Sequence, residues 1–286
     1  MQMYDLTLLA SLTAIFFYAL GFAILWRAAN SSNEPEDLDL AESLDASPTN
    51  LSTNTVGILP WLTLTALIGH GFACINALTG ENGFSLSLIG VSNLVAVVMV
   101  FVVAASSTKL PVNNIFLLLF PISIFNLLCL NLIDPGNIAP LELSTAQVAH
   151  ILLSISAYTA LMTAALQSIL LALQERRLKQ PRKGLYGLLP ALETMEHLLL
   201  SMLWIGLALL SLSIVTGLIF LEDMLSQRLT HHTILTSLSW LVYASFLVGH
   251  HVFGWRGVTA VRWNLAAFAL LVLGYFGSKF VLEYLL

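Results

Sequence analysis

Apolar side chains run almost unbroken through eight stretches of the chain, near residues 6–27, 57–78, 84–104, 113–133, 147–174, 192–221, 232–252 and 261–284. The runs are continuous, without the in–out alternation of a barrel strand. About 20 apolar residues in helical conformation cross the hydrocarbon core of a bilayer. A helix also satisfies its own backbone N–H and C=O groups, which lipid cannot do. The pattern therefore predicts an all-α, polytopic membrane helix bundle of about eight transmembrane helices. The first run follows an acidic start, Met1 to Asp5, and is too long for the apolar core of a secretory signal. It is read as a retained helix.

Residues 30–56 break the pattern. They carry Glu34, Glu36, Asp37, Asp39, Glu42 and Asp45 among serines, asparagines and scattered leucines. Such a segment buries too little apolar surface to offset the entropy of ordering it. The expected organisation is thus a first transmembrane helix over 1–29, a flexible acidic cytoplasmic loop over 30–56, and a seven-helix membrane domain over 57–286.

Composition sharpens the picture. Hydrophobic residues make up 58% of the chain and charged residues 9%, whereas a soluble domain is about a quarter charged. Mean hydropathy is +0.87. The lipid bilayer is a partner by necessity. Net charge is −5 and the basic residues sit in short connections, so nothing points to nucleic acid. The two cysteines, Cys74 and Cys129, both lie inside apolar runs and form neither a CxxC motif nor a disulfide framework.

Lys and Arg collect in cytoplasmic connections. With the N-terminus outside, the inner connections hold Arg27, Lys109, Arg176, Arg177, Lys179, Arg182, Lys183, Arg256 and Arg262. Only Arg228 and Lys279 fall elsewhere. The expectation is eight spans with both termini periplasmic.

Four of the seven histidines bracket the seventh span, His231 and His232 before it and His250 and His251 at its end. His232 and His250 are 18 residues apart in sequence, roughly 27 Å along a helix. The two pairs therefore serve different depths. His150 opens the fifth span at the outer level of His231 and His232, and His70 lies within the second span. Imidazole nitrogens from facing helices are the usual axial ligands of a haem bound in a helix bundle. His150 with His231 or His232 is the outer candidate pair, and His70 with His250 a deeper one. Ser154 and Tyr158 follow His150 at i+4 and i+8, on about one helix face. His70 and Cys74 share a face too, but two ligands are too few for a metal site. No HExxH, Walker loop or nucleophile elbow is present, so hydrolysis and phosphoryl transfer are not indicated.

The segments "AHILLSISAYTALMTAALQSILLALQERRLK" and "TILTSLSWLVYASFLVGHHVFGWRGVTAVRWNLAAFALLVLGYFGSKFVLEYLL" resemble spans of the cytochrome c assembly family, the CcsA-like and HemX-like membrane proteins. Within that family the chain resembles the YpjD-like bacterial inner-membrane branch. The resemblance covers about residues 55–286, with "GWRG" and "YFGSKF" as its most specific words. It implies a protein of the bacterial inner membrane that binds haem and assists cytochrome c biogenesis, without catalysis of its own. It further implies His150 as the first external ligand, His70 and His250, or His251 in its place, as buried histidines, and His231 near the end of the family's tryptophan-rich segment; the haem is expected to be b-type, with its iron at His150 and His231. Apocytochrome c and other membrane assembly proteins are the implied partners. Where haem-transfer members carry WGxxWxWD, this chain reads "FLEDMLSQRLTHHTIL", without tryptophan. The alternatives are a membrane scaffold without haem, its histidines packing helices, or a small-molecule permease.

Overall fold

The computed structural model describes residues 2–31, 53–80, 83–133, 143–179, 189–220 and 230–285. The acidic loop and the segment before the seventh span fall largely outside the described residues. The helices are α1 (Gln2–Ser31), α2 (Thr53–Leu78), α3 (Leu88–Ser106), α4 (Phe116–Leu132), α5 (Thr145–Lys179), α6 (Leu192–Phe220), α7 (Thr230–Phe253), α8 (Val258–Val272) and α9 (Ser278–Tyr284). A π-helical turn, Leu273–Gly277, joins α8 to α9 as one span. Among the described residues eight helical segments are thus long and apolar enough to cross a membrane, and the chain is an all-α membrane bundle.

The third span starts later than its apolar run does. A two-residue antiparallel ribbon pairs Thr79–Gly80 with Gly83–Phe84, so the helix begins only at Leu88. Ser87 caps it, its hydroxyl accepting from the Gly90 N–H at 2.9 Å. The Glu283 carboxylate accepts from the Leu88 N–H at 2.8 and 3.1 Å. A carboxylate at a helix N-terminus satisfies orphan donors and opposes the helix dipole.

The helices pack as two groups of four. In the first, α1 lies against α2 and α4, and α3 against α2 and α4. In the second, α5 lies against α6 and α8, and α7 against α6 and α8. The groups meet where α3 and the Asn113–Ile115 turn touch α5. Lipid is as apolar as leucine, so membrane helices associate through close packing and interhelical hydrogen bonds. Both devices are present. A Cβ on Gly69 would stand 2.8 Å from the Ala10 carbonyl oxygen, so α1 and α2 touch backbone to backbone there. Gly206 of α6 similarly admits Leu161 of α5, whose Cδ2 would lie 2.5 Å from an added Cβ. The Asn264 side-chain N–H2 donates to the Ala164 carbonyl at 2.9 Å and to Ser168 Oγ at 2.6 Å, fastening α8 to α5.

Gly69→Ala is expected to force α1 and α2 apart, because backbone cannot swing aside as a side chain does. Overpacking of this kind costs about 1–3 kcal/mol. The check is the melting temperature of the detergent-solubilised protein. An unchanged value would contradict the close approach.

Candidate functional site: a histidine-lined cavity

On α5, one face carries His150, Ser154 and Tyr158, and all three line one cavity of about 140 Å³. Leu86 and, from α3, Val91 and Val95 form a second wall, Leu210, Ser213 and Ile214 of α6 a third. His232 and Thr236 of α7, one turn apart, and Tyr275 and Phe276 of the π-helical turn complete it. Most of the lining is aliphatic or aromatic, with a few polar groups, which is the usual make-up of a small-molecule site.

His150 is held in one tautomer. Its Nδ1 lies 3.0 Å from the Ser213 carbonyl oxygen and 3.2 Å from Thr216 Oγ1. A carbonyl only accepts, so Nδ1 carries the proton and Nε2 the lone pair. The Thr216 hydroxyl also lies 2.9 Å from the Leu212 carbonyl, its i−4 acceptor. Nε2 has a long 3.5 Å contact with Ser154 Oγ, whose hydrogen-bond capacity is already engaged at 2.8 Å with the His150 carbonyl and at 2.6 Å with Ser213 Oγ. The cavity-lining imidazole therefore offers a free nitrogen lone pair. An imidazole whose other nitrogen donates to a carbonyl is the orientation metal-bound histidines adopt.

His232 lines the same cavity, its ring 5.9 Å from that of Tyr275 in an edge-on contact. Among the described residues no hydrogen bond engages its ring nitrogens. Thr236 is buried, yet its hydroxyl has no hydrogen-bond partner. A threonine in a helix ordinarily bonds the carbonyl four residues back, so a free hydroxyl on a cavity wall is unusual.

The surroundings explain these positions. Tyr158 donates to the Leu271 carbonyl at 2.9 Å, tying α5 to α8 below the π turn. Ser239 donates to the Ala267 carbonyl at 2.7 Å, and Trp240 Nε1–H to Ser211 Oγ at 2.8 Å, fixing α7 to α8 and α6. Gly274 lets α8 approach α7 closely. A Cβ there would lie 3.2 Å from Leu235 Cβ and 3.5 Å from the His232 carbonyl oxygen.

The other histidines lie elsewhere. His231 is exposed and does not line the cavity. His70 is fully buried among α1, α2 and α3. Its Nδ1 lies 3.3 Å from the Tyr18 hydroxyl and its Nε2 3.1 Å from Asn93 Oδ1. The Asn93 amide N–H2 donates to the carbonyls of Ile89 and Asn126, so Oδ1 accepts from His70 Nε2–H and Nδ1 accepts from Tyr18. Both His70 nitrogens are thus engaged by protein groups. His250 Nδ1–H donates to the Trp255 carbonyl at 2.7 Å, closing the α7–α8 turn through Gly254 and Gly257, both at positive φ. The Trp255 ring lies over Gly249, where an added Cβ would be 2.4 Å away. His251 is exposed. His70 and His250 therefore face different neighbours and are not brought to one place. Among the described residues no group of three or more His, Cys, Asp or Glu gathers as a metal site.

Residues 8–286 match the family model described as cytochrome C assembly protein. Similar proteins include inner membrane protein YpjD of Escherichia coli K12, 31% identical over 221 residues that span 76% of this chain and 83% of that protein. An uncharacterized 28.8 kDa protein of Azospirillum brasilense is 36% identical over 140 residues, 48% of this chain and 52% of its own. Protein HemX of Brevibacillus brevis is 29% identical over 133 residues, 46% of this chain and 49% of its own. No solved structure matches the chain. With the family match running through all eight spans, the chain belongs to the cytochrome c assembly protein family.

Proposed function

We propose that this multi-pass inner-membrane protein binds haem in the cavity between α3, α5, α6, α7 and the π turn, and handles it for cytochrome assembly without catalysing a reaction. The observation that carries the reading is the pair of imidazoles, His150 and His232, lining one largely apolar cavity, with the His150 tautomer set by the Ser213 carbonyl. The donor set fits haem. Two imidazole nitrogens are a common axial set, and an apolar wall suits a macrocycle. Bound there, haem would supply an iron that takes nitrogen ligands and a porphyrin face for aromatic contact. His150 presents Nε2, and His232 is the second imidazole on the cavity wall. Tyr275 and Phe276 offer ring contacts, and the aliphatic residues of α3 exclude water. The two cysteines are Cys74 and Cys129, on separate helices, and give no paired thioether attachment. The haem is accordingly b-type, held by ligation and packing.

The cavity sits at the end of the bundle where α3, α5 and α7 begin. On the positive-inside assignment this is the periplasmic end, where apocytochrome c and its assembly partners would meet it. His70, with both nitrogens hydrogen-bonded, serves as a structural knot of the first helix group.

The reading is tested by titrating haem into purified protein carrying His232→Ala or His231→Ala. Loss of low-spin binding in the first and retention in the second is the expected result. Equal behaviour of the two variants, in either direction, contradicts the assignment of His232. Gly274→Val is expected to press on Leu235 and the His232 carbonyl, at about 1–3 kcal/mol of packing strain. Haem dissociation should accelerate about tenfold, measured by transfer to an excess of a haem-scavenging apoprotein.

A further inference from the structure

We propose that Lys279 is the recognition residue for an acidic edge of the cavity's ligand, the carboxylates of a haem-type macrocycle; this rests on the haem reading above. Lys279 follows Tyr275 and Phe276 of the cavity wall by four and three residues, one turn nearer the end of the span. Its Nζ lies 2.9 Å from Glu283 Oε1, and the same carboxylate binds the Leu88 N–H at the start of α3. Leu86 and Val91, on either side of Leu88, line the cavity. The ammonium group is thereby tied to the start of α3, whose Leu88 stands in sequence between two residues of the cavity wall.

Three features make this a built position. Lys279 and Arg228 are the two basic residues that depart from the inside connections, and a cation on the outer side runs against the usual bias. The Lys279 side chain is only 24% exposed, so its charge is poorly served by water and gains from a second anion. Glu283 also keeps the Leu88 N–H if Lys279 turns away, so the lysine can engage another carboxylate without undoing the α3 cap. A macrocycle held by His150 and His232 with its carboxylates toward the end of the bundle meets this ammonium group. A charge-assisted hydrogen bond there supplies both affinity and orientation.

The test compares haem with haem dimethyl ester, whose carboxylates are blocked, in wild type, Lys279→Gln and Lys279→Arg. Dissociation into excess scavenger is measured in one detergent, and each variant is compared with wild type for the same porphyrin, which cancels partitioning into micelles. Lys279→Gln should release haem about tenfold faster than wild type, release the ester at the wild-type rate, and leave the low-spin spectrum unchanged. Lys279→Arg should restore slow release of haem. Equal acceleration for both porphyrins would show that Lys279 acts only through the Glu283 cap, and no acceleration for either would show that it meets no ligand. Both results overturn the assignment while leaving the haem reading intact. A wild-type protein that binds neither porphyrin overturns the haem reading itself, and this assignment with it.

Discussion

His150→Ala is expected to lower haem affinity by about 100-fold or more and to remove the low-spin spectrum. Disturbing only the groups that orient a metal-bound histidine typically costs 10- to 100-fold, and on the proposed ligation the variant removes the ligand itself. With Nδ1–H committed to the Ser213 carbonyl, Nε2 is the nitrogen left to meet a ligand, and alanine supplies neither. Two secondary consequences follow from the same geometry. The Ser213 carbonyl and Thr216 Oγ1 lose a partner, yet each retains the helical or i−4 bonds beside it. The fold should therefore lose only about 1 kcal/mol. The decisive contrast is a large loss of binding with a nearly unchanged melting temperature. Parallel loss of both would mean that His150 is a packing residue.

His70→Leu is expected to behave the opposite way. It breaks the contacts to Tyr18 and Asn93 and strands the Asn93 Oδ1 acceptor in the core. An unsatisfied buried polar group costs about 1–3 kcal/mol, although interhelical bonds in membranes average nearer 0.6 kcal/mol. A total of about 2 kcal/mol should lower the melting temperature by roughly 4–8 °C in a chain of this size. Cys74, which is buried, reports the transition directly through its thiol. The haem spectrum should persist, because His70 does not line the cavity and only α3 borders both. Loss of haem from a variant of wild-type stability would instead make His70 a ligand.

Much of the architecture is legible in the sequence, because lipid imposes one solution on a continuous apolar run. The eight runs became eight spans, and the spacing of His150, Ser154 and Tyr158 placed them on one wall. What escaped is long-range. Glu283 caps a helix 195 residues away, and no local pattern announces that. Ser213 fixes His150 through its carbonyl, an atom common to every residue type. Tyr275 and Phe276 enter the wall through a π turn bracketed by Gly274 and Gly277; the "LGYFG" word is a signal only once π turns are associated with functional sites. Neighbouring histidines posed a further problem. His231 and His232 are equivalent in composition and depth, and only the rotation of α7 distinguishes them, leaving the first exposed and the second on the cavity wall. Knowing that a residue lies at a given depth does not reveal which way it faces. His70 illustrates the converse. A buried membrane histidine is a functional candidate by default, but α1 and α3 each supply a partner for one of its nitrogens.

The haem-binding predictions all depend on a pair of imidazoles holding haem in this cavity. The measurement that tests it most directly is the absorption spectrum of the purified, detergent-solubilised protein with added haem, oxidised and then reduced with dithionite. The expected result is a low-spin, b-type spectrum with sharp reduced bands at about one haem per chain, lost on replacing His150. A wild-type protein that leaves haem in the spectrum of the free, detergent-dissolved molecule would contradict it.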